Sequence, residues 1–323
     1  MNRKLNSNLV ALVAALNDNV YHDGNSLGDA LGMTRSAVWK AIQKLTSYDV
    51  DIQSDKRKGY LMTSPLILLD EAKLSAGLPA QTELTIFETI SSTNDYLKTK
   101  SNINNPQMCL AEQQTQGRGR LNREWVSPFG KNIYFSFRYP IAKDISELAG
   151  LSLIVSLAVL HTLKCAGIDK NLYVKWPNDI IYENKKLSGA LIDVQAESHG
   201  LCHAVIGIGV NINMLTDEAR RIQQPWTSMQ AILGTYIDRN LIASQLMSHL
   251  LKYLQRFIEN GFEDFISEWE AADCLQGRVI TLKNFDNSIT GKVIGINKQG
   301  HLQLLLDSGE TRTFSSGEAT ISR

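Results

Sequence analysis

Leu5, Leu9, Leu12, Val13 and Leu16 recur every three or four positions, so the chain opens with a helix that has one apolar face. Ser26-Leu27-Gly28-Asp29 reads as a capping box starting a second, short helix, with Leu27, Ala30 and Leu31 inward. Gly32-Met33 is a tight turn, and Thr34 is placed to cap a third helix. Ala37, Val38, Ala41, Ile42 and Leu45 form the apolar stripe of that helix; Arg35, Ser36, Trp39, Lys40, Gln43 and Lys44 take the other face. Val50-Asp51-Ile52 alternates like a strand, Asp55-Lys56-Arg57-Lys58-Gly59 is a basic turn, and Tyr60-Leu61-Met62 returns. After Ser64-Pro65 the pattern changes to strands at 85–90, 108–112 and 133–138, an apolar-rich helix at 146–165, a strand pair around 173–194 and a glycine-punctuated strand at 204–213. Short strands at 278–283, 288–296 and 301–306, separated by turns at 284–287 and 297–300, end the chain.

This organisation predicts an α+β multidomain protein with boundaries at 1–64, 65–271 and 272–323. At 323 residues, the chain is too long for one ordinary core. The first unit reads as a winged helix-turn-helix, the second as an α/β domain with a mixed sheet, and the third as a small SH3-like β-barrel. The uncharged run at 148–163 is shorter than the ~20 apolar residues of a membrane span, so no membrane partner is expected. Cys109, Cys165, Cys202 and Cys274 are scattered with no C-x-x-C pair, which implies reduced thiols in a cytoplasmic protein rather than a zinc site or a disulfide framework.

Net charge is zero, so nucleic-acid binding can be argued only locally. Residues 1–64 hold eight Lys/Arg against six Asp/Glu, a net of +2, with the cations bunched. Arg35, Lys40 and Lys44 share the third helix with no acid on their face, beside Ser36, Trp39 and Gln43. These residue types reach phosphates and base edges. Lys56, Arg57 and Lys58 tip the hairpin, where a wing touches the DNA backbone. A protein-docking winged helix is the competing reading. One such domain reads a single short half-site, so a dimer on a two-fold operator DNA is expected.

The central unit carries the candidate chemistry. Ser92-Thr93-Asn94 at a strand-to-helix corner can be simple caps, or can supply the fixed donors and acceptors that a polar, uncharged ring requires. A loop of nearly twenty residues holds Gln114, Gly117, Arg118, Gly119, Arg120, Arg123 and Trp125. Glycines let backbone N–H groups approach an anion, arginines bind phosphate through a fork of donors, and Trp125 can lie on a base. The loop lacks the pattern of a P-loop; an RNA-binding or merely solvated segment is the alternative. Lys186 begins a strand beside Gly189, which permits close approach of a ligand.

Ser92-Thr93-Asn94, the segment from Gln114 through Arg120, Lys175-Trp176-Pro177-Asn178-Asp179 and Lys186-Leu187-Ser188-Gly189 occur in this order. The chain resembles the biotin–protein ligase family over nearly its whole length, and with its N-terminal unit it resembles the bifunctional ligases that also repress the biotin operon. The run at 175–179 together with the Gly-Arg loop makes the resemblance specific. One departure lies at Leu121-Asn122, where the family loop is read as having Arg-Gly.

The resemblance implies a function: biotin is activated by ATP to biotinyl-AMP and passed to a lysine of a biotin carboxyl carrier protein. The adenylate-bound homodimer represses transcription. Ser92, Thr93 and Gln114 would hold the biotin ureido ring with the backbone of Arg118, and Asn94 and Gly119 would line the same site. Lys186 would bind the biotin carboxylate, Arg118 and Arg120 the ATP phosphates, Trp125 the adenylate and Asn178 a phosphate. Asp179 would be a Mg2+ ligand and Asn211 a further lining residue. No histidine stands out as the base for the acceptor lysine. Competing functions are a ligand-sensing repressor without ligase activity and a lipoate-type ligase; the acid that releases pyrophosphate from ATP separates them.

Overall fold

A three-helix unit and a hairpin form as the periodicity dictates, in a computed structural model that describes residues 3–100, 105–196, 202–215, 222–284 and 287–321. After a short strand β1 (Arg3–Lys4) come α1 (Ser7–Leu16), α2 (Gly24–Leu31), α3 (Arg35–Thr46), β2 (Ile52–Asp55) and β3 (Gly59–Met62). The cap of α2 is Asp23 rather than the Ser26 box: its carboxylate accepts from Asn25 N at 2.9 Å and Ser26 N at 3.1 Å, and Ser26 lies inside the helix. A charged acceptor at a helix N-terminus outcompetes a hydroxyl one turn later. Thr34 Oγ1 caps α3 by accepting from Ala37 N at 3.2 Å. Gly59 turns the wing at φ +95, where a Cβ would lie 2.0 Å from the His22 carbonyl oxygen.

Two contacts blur the expected boundary at residue 64. β1 pairs with a strand of the central sheet, and Leu66, Leu68 and Phe129 pack in one cluster with Leu9, Leu12, Leu16, Val38, Ile42 and Leu45. The N-terminal unit therefore shares its core with the next one.

The central unit contains α4 (Glu71–Ser75), β4 (Glu83–Ile90), α5 (Thr93–Lys98), β5 (Gln107–Gln114), β6 (Ile133–Ile141), α6 (Leu151–Cys165), β7 (Leu172–Lys175), β8 (Asp179–Tyr182), β9 (Lys185–Ala196), β10 (Cys202–Val210), α7 (Met229–Leu233), α8 (Arg239–Asn260) and α9 (Ile266–Ala272). Its eight-stranded mixed sheet has the order β1-β4-β5-β6-β10-β9-β8-β7, with β4 and β5 parallel across the α5 crossover. Side-chain alternation separates the faces. Met108, Leu110, Ala204, Ile206 and Ile208 join the core with α6 and α8, whereas Cys109, Ala111 and Val205 meet Leu97 of α5. In β10 this puts Ile206 and Ile208 on the core face and Gly207 and Gly209 on the other. The sequence reading of a run too short for a membrane is revised: 145–165 reaches 21 residues and is apolar enough to span. In this fold α6 is instead a core helix, with eleven of its fifteen residues buried.

The last unit, β11 (Val279–Asn284), β12 (Asn287–Ile296), β13 (Leu302–Leu305), β14 (Thr311–Phe314) and β15 (Glu318–Ile321), pairs in the antiparallel order β14-β13-β12-β11-β15. β14 and β15 lie at opposite edges with no ladder between them among the described residues, so the sheet is open where a closed barrel was expected. Phe285 and Asp286, in the first expected turn, lie outside the described residues. Its apolar face (Ile280, Leu282, Val293, Leu302, Leu304) continues the central core, and Trp176 Nε1 donates to the Gly300 carbonyl at 3.3 Å.

Candidate active site

One cleft collects most of the predicted residues from opposite ends of the sequence. Ser92, Thr93, Asn94, Gln114, Arg118, Gly119, Arg120, Trp125, Asn178, Asp179 and Lys186 all line it. Asn211 does not: it lines a small adjoining pocket with Trp125 and Lys186, and its side-chain amide donates to the Thr227 carbonyl at 3.1 Å.

The polar corner is built where β4 ends. Ser92 is the N-cap of α5, its hydroxyl accepting from Asp95 N at 3.3 Å. Thr93 donates to the side-chain oxygen of Gln114 from its backbone N at 2.9 Å and its hydroxyl at 3.1 Å. This is possible because β4 and β5 run parallel and end side by side, Ile90 opposite Gln114. Ser136 completes the corner, donating to Thr93 Oγ1 at 2.7 Å. Sequence reasoning missed Ser136. The signal was available, since it is the small polar residue on the outward register of 133–138 between Tyr134 and Arg138. A Cβ at Gly207 would lie 2.2 Å from Asn94 Oδ1, and one at Gly209 2.3 Å from the Trp125 indole. Glycine is therefore required at both positions for β10 to accept these side chains against its backbone.

The arginine loop is closed on itself: Gly119 N donates to the Arg123 carbonyl at 2.8 Å and Trp125 N to the Gly117 carbonyl at 2.9 Å. Leu121 and Asn122 stand at φ 54 and 55. Asparagine tolerates this left-handed region, whereas for leucine it costs about 1–2 kcal/mol. The two arginines differ. Arg118 forms an ion pair with Asp95 in the first turn of α5 and is half exposed. Arg120 donates to Asn178 Oδ1 at 3.2 Å and to the Gly317 carbonyl at 3.1 Å, and its burial weakens its hold on the proton. Arg123 pairs with Glu318 at 2.6 Å, so the C-terminal sheet reaches the cleft through Gly317 and Glu318.

Lys186 Nζ lies 2.8 Å from Asp179 Oδ1 and 5.6 Å from the centre of the Trp125 ring. Trp125 Nε1 is buried with no hydrogen-bond partner. An unsatisfied buried donor beside a sequestered ammonium is what a site for an anionic, acceptor-rich ligand looks like before the ligand arrives. Asp179, expected as a magnesium ligand, stands here as the counter-ion of Lys186. No histidine lines the cleft among the described residues.

On α3, Arg35, Ser36, Trp39, Lys40 and Gln43 are exposed together, Trp39 by 52%. Lys44 is not part of that free face: it pairs with Glu88 of β4, a carboxylate with no exposure. That correction follows from α3 docking its last turn on the central sheet, where a buried carboxylate captures the nearest cation. At the wing, Asp55 Oδ1 accepts from the backbone N of Arg57 at 2.8 Å and Lys58 at 2.9 Å, fixing the turn that displays Lys56, Arg57 and Lys58.

Comparison with known proteins matches this arrangement. Residues 86–211 match the biotin/lipoate A/B protein ligase family, residues 10–61 an HTH domain and residues 277–321 the biotin protein ligase C-terminal domain. The chain is 34% identical over 311 residues to the bifunctional ligase/repressor BirA of Escherichia coli, covering 96% of each. It is 29% identical to that of Bacillus subtilis, covering 92% of this chain and 93% of the relative. The biotin protein ligase from Aquifex aeolicus, solved in complex with biotin and ATP, superposes with a TM-score of 0.63 at 28% identity, over 75% of this chain and 99% of that one.

Proposed function

The chain belongs to the family of bifunctional biotin–protein ligases and repressors, and from that premise we propose how its cleft and its N-terminal unit work together. The protein joins biotin to AMP at the expense of ATP, transfers biotin to a lysine of a carboxylase carrier protein, and represses transcription through its helix-turn-helix. The observation that carries the site assignment is the single cleft in which the Thr93–Gln114–Ser136 corner, the partnerless Trp125 Nε1, Lys186 and Arg120 converge.

A carboxylate is a poor acyl donor because oxide is a poor leaving group. When a biotin carboxylate oxygen attacks the α-phosphorus of ATP, pyrophosphate leaves and a mixed anhydride forms. Negative charge grows on the phosphoryl oxygens, so a cation fixed beside them lowers the barrier. Lys186 meets the carboxylate end, exchanging Asp179 for the substrate anion. Arg120 meets the phosphate, held by Asn178 and Gly317 at a fixed distance from Lys186's strand. The corner at Ser92, Thr93 and Gln114 takes the ureido ring, and Trp125 the adenylate. The acceptor amine then attacks the carbonyl carbon, AMP leaves, and the amine's proton goes to solvent or to a group on the carrier.

Magnesium would enter with the nucleotide, its shell filled mainly by phosphate oxygens. Asp179, once released from Lys186, would be a carboxylate available to it in the cleft.

Repression would require two copies on one operator. β9 pairs with β10 from Ser188 to Ala196 but with β8 only through Lys185–Gly189. From Leu191 onward it thus offers an edge, with Val194 exposed, that can pair with its twin. A cytoplasmic location fits three buried free thiols and one exposed free thiol.

The deciding experiment is incubation with ATP, Mg2+ and either biotin or lipoate, with and without a carrier domain, followed by mass spectrometry. Biotin-dependent AMP and a biotinylated carrier are expected. Lipoate-dependent AMP alone, or no AMP with either acid, overturns the reading.

A further inference from the structure

On the face of the sheet away from the cleft, α6 ends with His161 and Cys165 one helical turn apart, and α8 crosses beside them carrying His249. One donor atom from each side chain lies within 4.8 Å of the other two. The two rings meet edge to face with centroids 4.5 Å apart, and Cys165 Sγ is 3.7 Å from His161 Nε2.

Thr162 anchors His249 at one ring nitrogen. Its hydroxyl donates its only proton to the Ala158 carbonyl at 2.8 Å and lies 3.0 Å from His249 Nδ1. With that proton on Ala158 the hydroxyl accepts from the ring, an arrangement that leaves the proton on Nδ1 and the lone pair of Nε2 for a ligand. A histidine whose other nitrogen is anchored by a neighbouring oxygen is the usual arrangement around a protein-bound metal. His161 and Cys165 are exposed, so an ion can enter from solvent, and Tyr253, the next ring, is engaged by its hydroxyl with Glu268.

We propose that His161, Cys165 and His249 form a binding site for a zinc-class divalent ion that ties the C-terminal end of α6 to α8. Two imidazole nitrogens and a thiolate suit this class and not the hard cations magnesium and calcium. Binding forms one metal–sulfur and two metal–nitrogen bonds, the thiol proton passes to solvent, and a water completes a four-coordinate shell. Bonds of about 2.0–2.3 Å bring the donors closer than they stand now. Two donors bound tetrahedrally at such lengths stand about 3.5 Å apart, and the His161–Cys165 pair at 3.7 Å is already close to that spacing.

The test uses untagged full-length protein, kept reduced with a phosphine, and titrated with Co2+ as the spectroscopic probe. One equivalent should produce thiolate-to-cobalt absorption in the near ultraviolet together with visible bands of a four-coordinate ion. One proton should be released per ion, and Zn2+ should displace the probe. Cys165→Ser should abolish the near-ultraviolet band and His249→Ala should weaken Zn2+ binding at least tenfold. Thr162→Val, which keeps the shape and removes the anchoring oxygen, should weaken it about 10–100-fold. Circular dichroism confirms that each variant is folded, and adenylate synthesis should be unchanged in His249→Ala because the site lies across the sheet from the cleft. Absence of the charge-transfer band in the wild-type protein, or equal Zn2+ affinity in folded His249→Ala, overturns the proposal.

Discussion

Lys44 of α3 and Glu88 of β4 form an ion pair in which the carboxylate has no exposure to solvent. Tyr48 Oη donates to the other carboxylate oxygen at 2.6 Å, and Arg3 stands 3.6 Å from it. The helix proposed to read DNA is thereby held against the strand that ends at the polar corner of the cleft. Glu88 lies only four residues before Ser92, so ligand in the corner and the pose of α3 bear on one strand. Lys44→Ala leaves the buried carboxylate with Tyr48 and Arg3, and should cost about 1–3 kcal/mol of stability. Its effect on operator binding should leave the salt dependence unchanged. Lys40→Ala, on the free face, should instead lower the slope of log affinity against log salt by about one. A drop in that slope for Lys44→Ala would place Lys44 on DNA after all.

Lys186→Ala removes the cation proposed to meet the biotin carboxylate. Adenylation, followed by biotin-dependent pyrophosphate exchange, should slow by about 2–4 kcal/mol in transition-state energy. Asp179→Asn, which frees Lys186 from its resting partner, should retain biotin binding. A near-normal exchange rate in Lys186→Ala removes the residue from its role.

Arg120 bridges Asn178 and the Gly317 carbonyl, so replacing it by glycine should loosen both the proposed phosphate contact and the grip of the C-terminal sheet. Escape of the adenylate, measured after rapid dilution, should accelerate, and stray acylation of bystander lysines should rise. Arg123→Ala breaks an exposed pair with Glu318 and should cost no more than about 1 kcal/mol. Equal adenylate retention in Arg120→Gly and wild type contradicts the assignment.

Asp273, where α9 passes into the C-terminal sheet, is a titrating group outside the cleft. Burial pushes its carboxyl up to about 6, against one opposing bond from Leu275 N, and its Oδ2 has no hydrogen-bond partner. Its folded-state value lies above the unfolded one. Between about pH 4 and pH 6 the unfolded chain gives up this proton and the folded chain keeps it, so the contribution falls as pH rises and is most unfavourable above pH 6. Asp273→Asn retains an acceptor for Leu275 and should raise stability at pH 7.5 by about 1–3 kcal/mol, with the gain vanishing below about pH 4. Denaturation at both pH values checks it, and a gain that persists at the lower pH rules out the titration.

Biotinyl-adenylate, more than biotin alone, should promote dimerisation. An adenylate phosphate that replaces Asp95 as the partner of Arg118 would fix the loop at 117–125 before association. A coupling of about 1–3 kcal/mol is a normal size for such an effect. Sedimentation of apo, biotin-bound and adenylate-bound protein at one concentration should give increasing dimer. Identical constants in all three would show that ligand acts on DNA binding by another route.

The three-part organisation, the helix-turn-helix and the arginine loop were legible in the sequence because each is local. A 3.6-residue apolar stripe, a Gly at a left-handed turn and a run of cations declare themselves within a dozen positions. Ser92, Thr93 and Gln114, which the structure brings together in the cleft, were singled out through a resemblance carried by short, ordered motifs. Which side chain meets which was not legible. Lys44 looked like a DNA contact because its own helix has no acid on that face; its partner lies 44 residues away on another strand. Asp179 was named as a metal ligand through the resemblance, and the motif around it gives no hint that strand pairing sets its oxygen against Lys186. The loop departure at Leu121-Asn122 was visible as letters, and only the backbone angles showed that both positions are left-handed. The His161–Cys165–His249 cluster was invisible in a scan for C-x-x-C spacing, since one of its three donors comes from a helix more than eighty residues on. Sequence by itself determined the elements and their chemistry. Tertiary structure decided the pairings, because ion pairs, buried donors and metal donor sets depend on distances that the parallel β4–β5 ladder and the α6–α8 packing create across long stretches of chain.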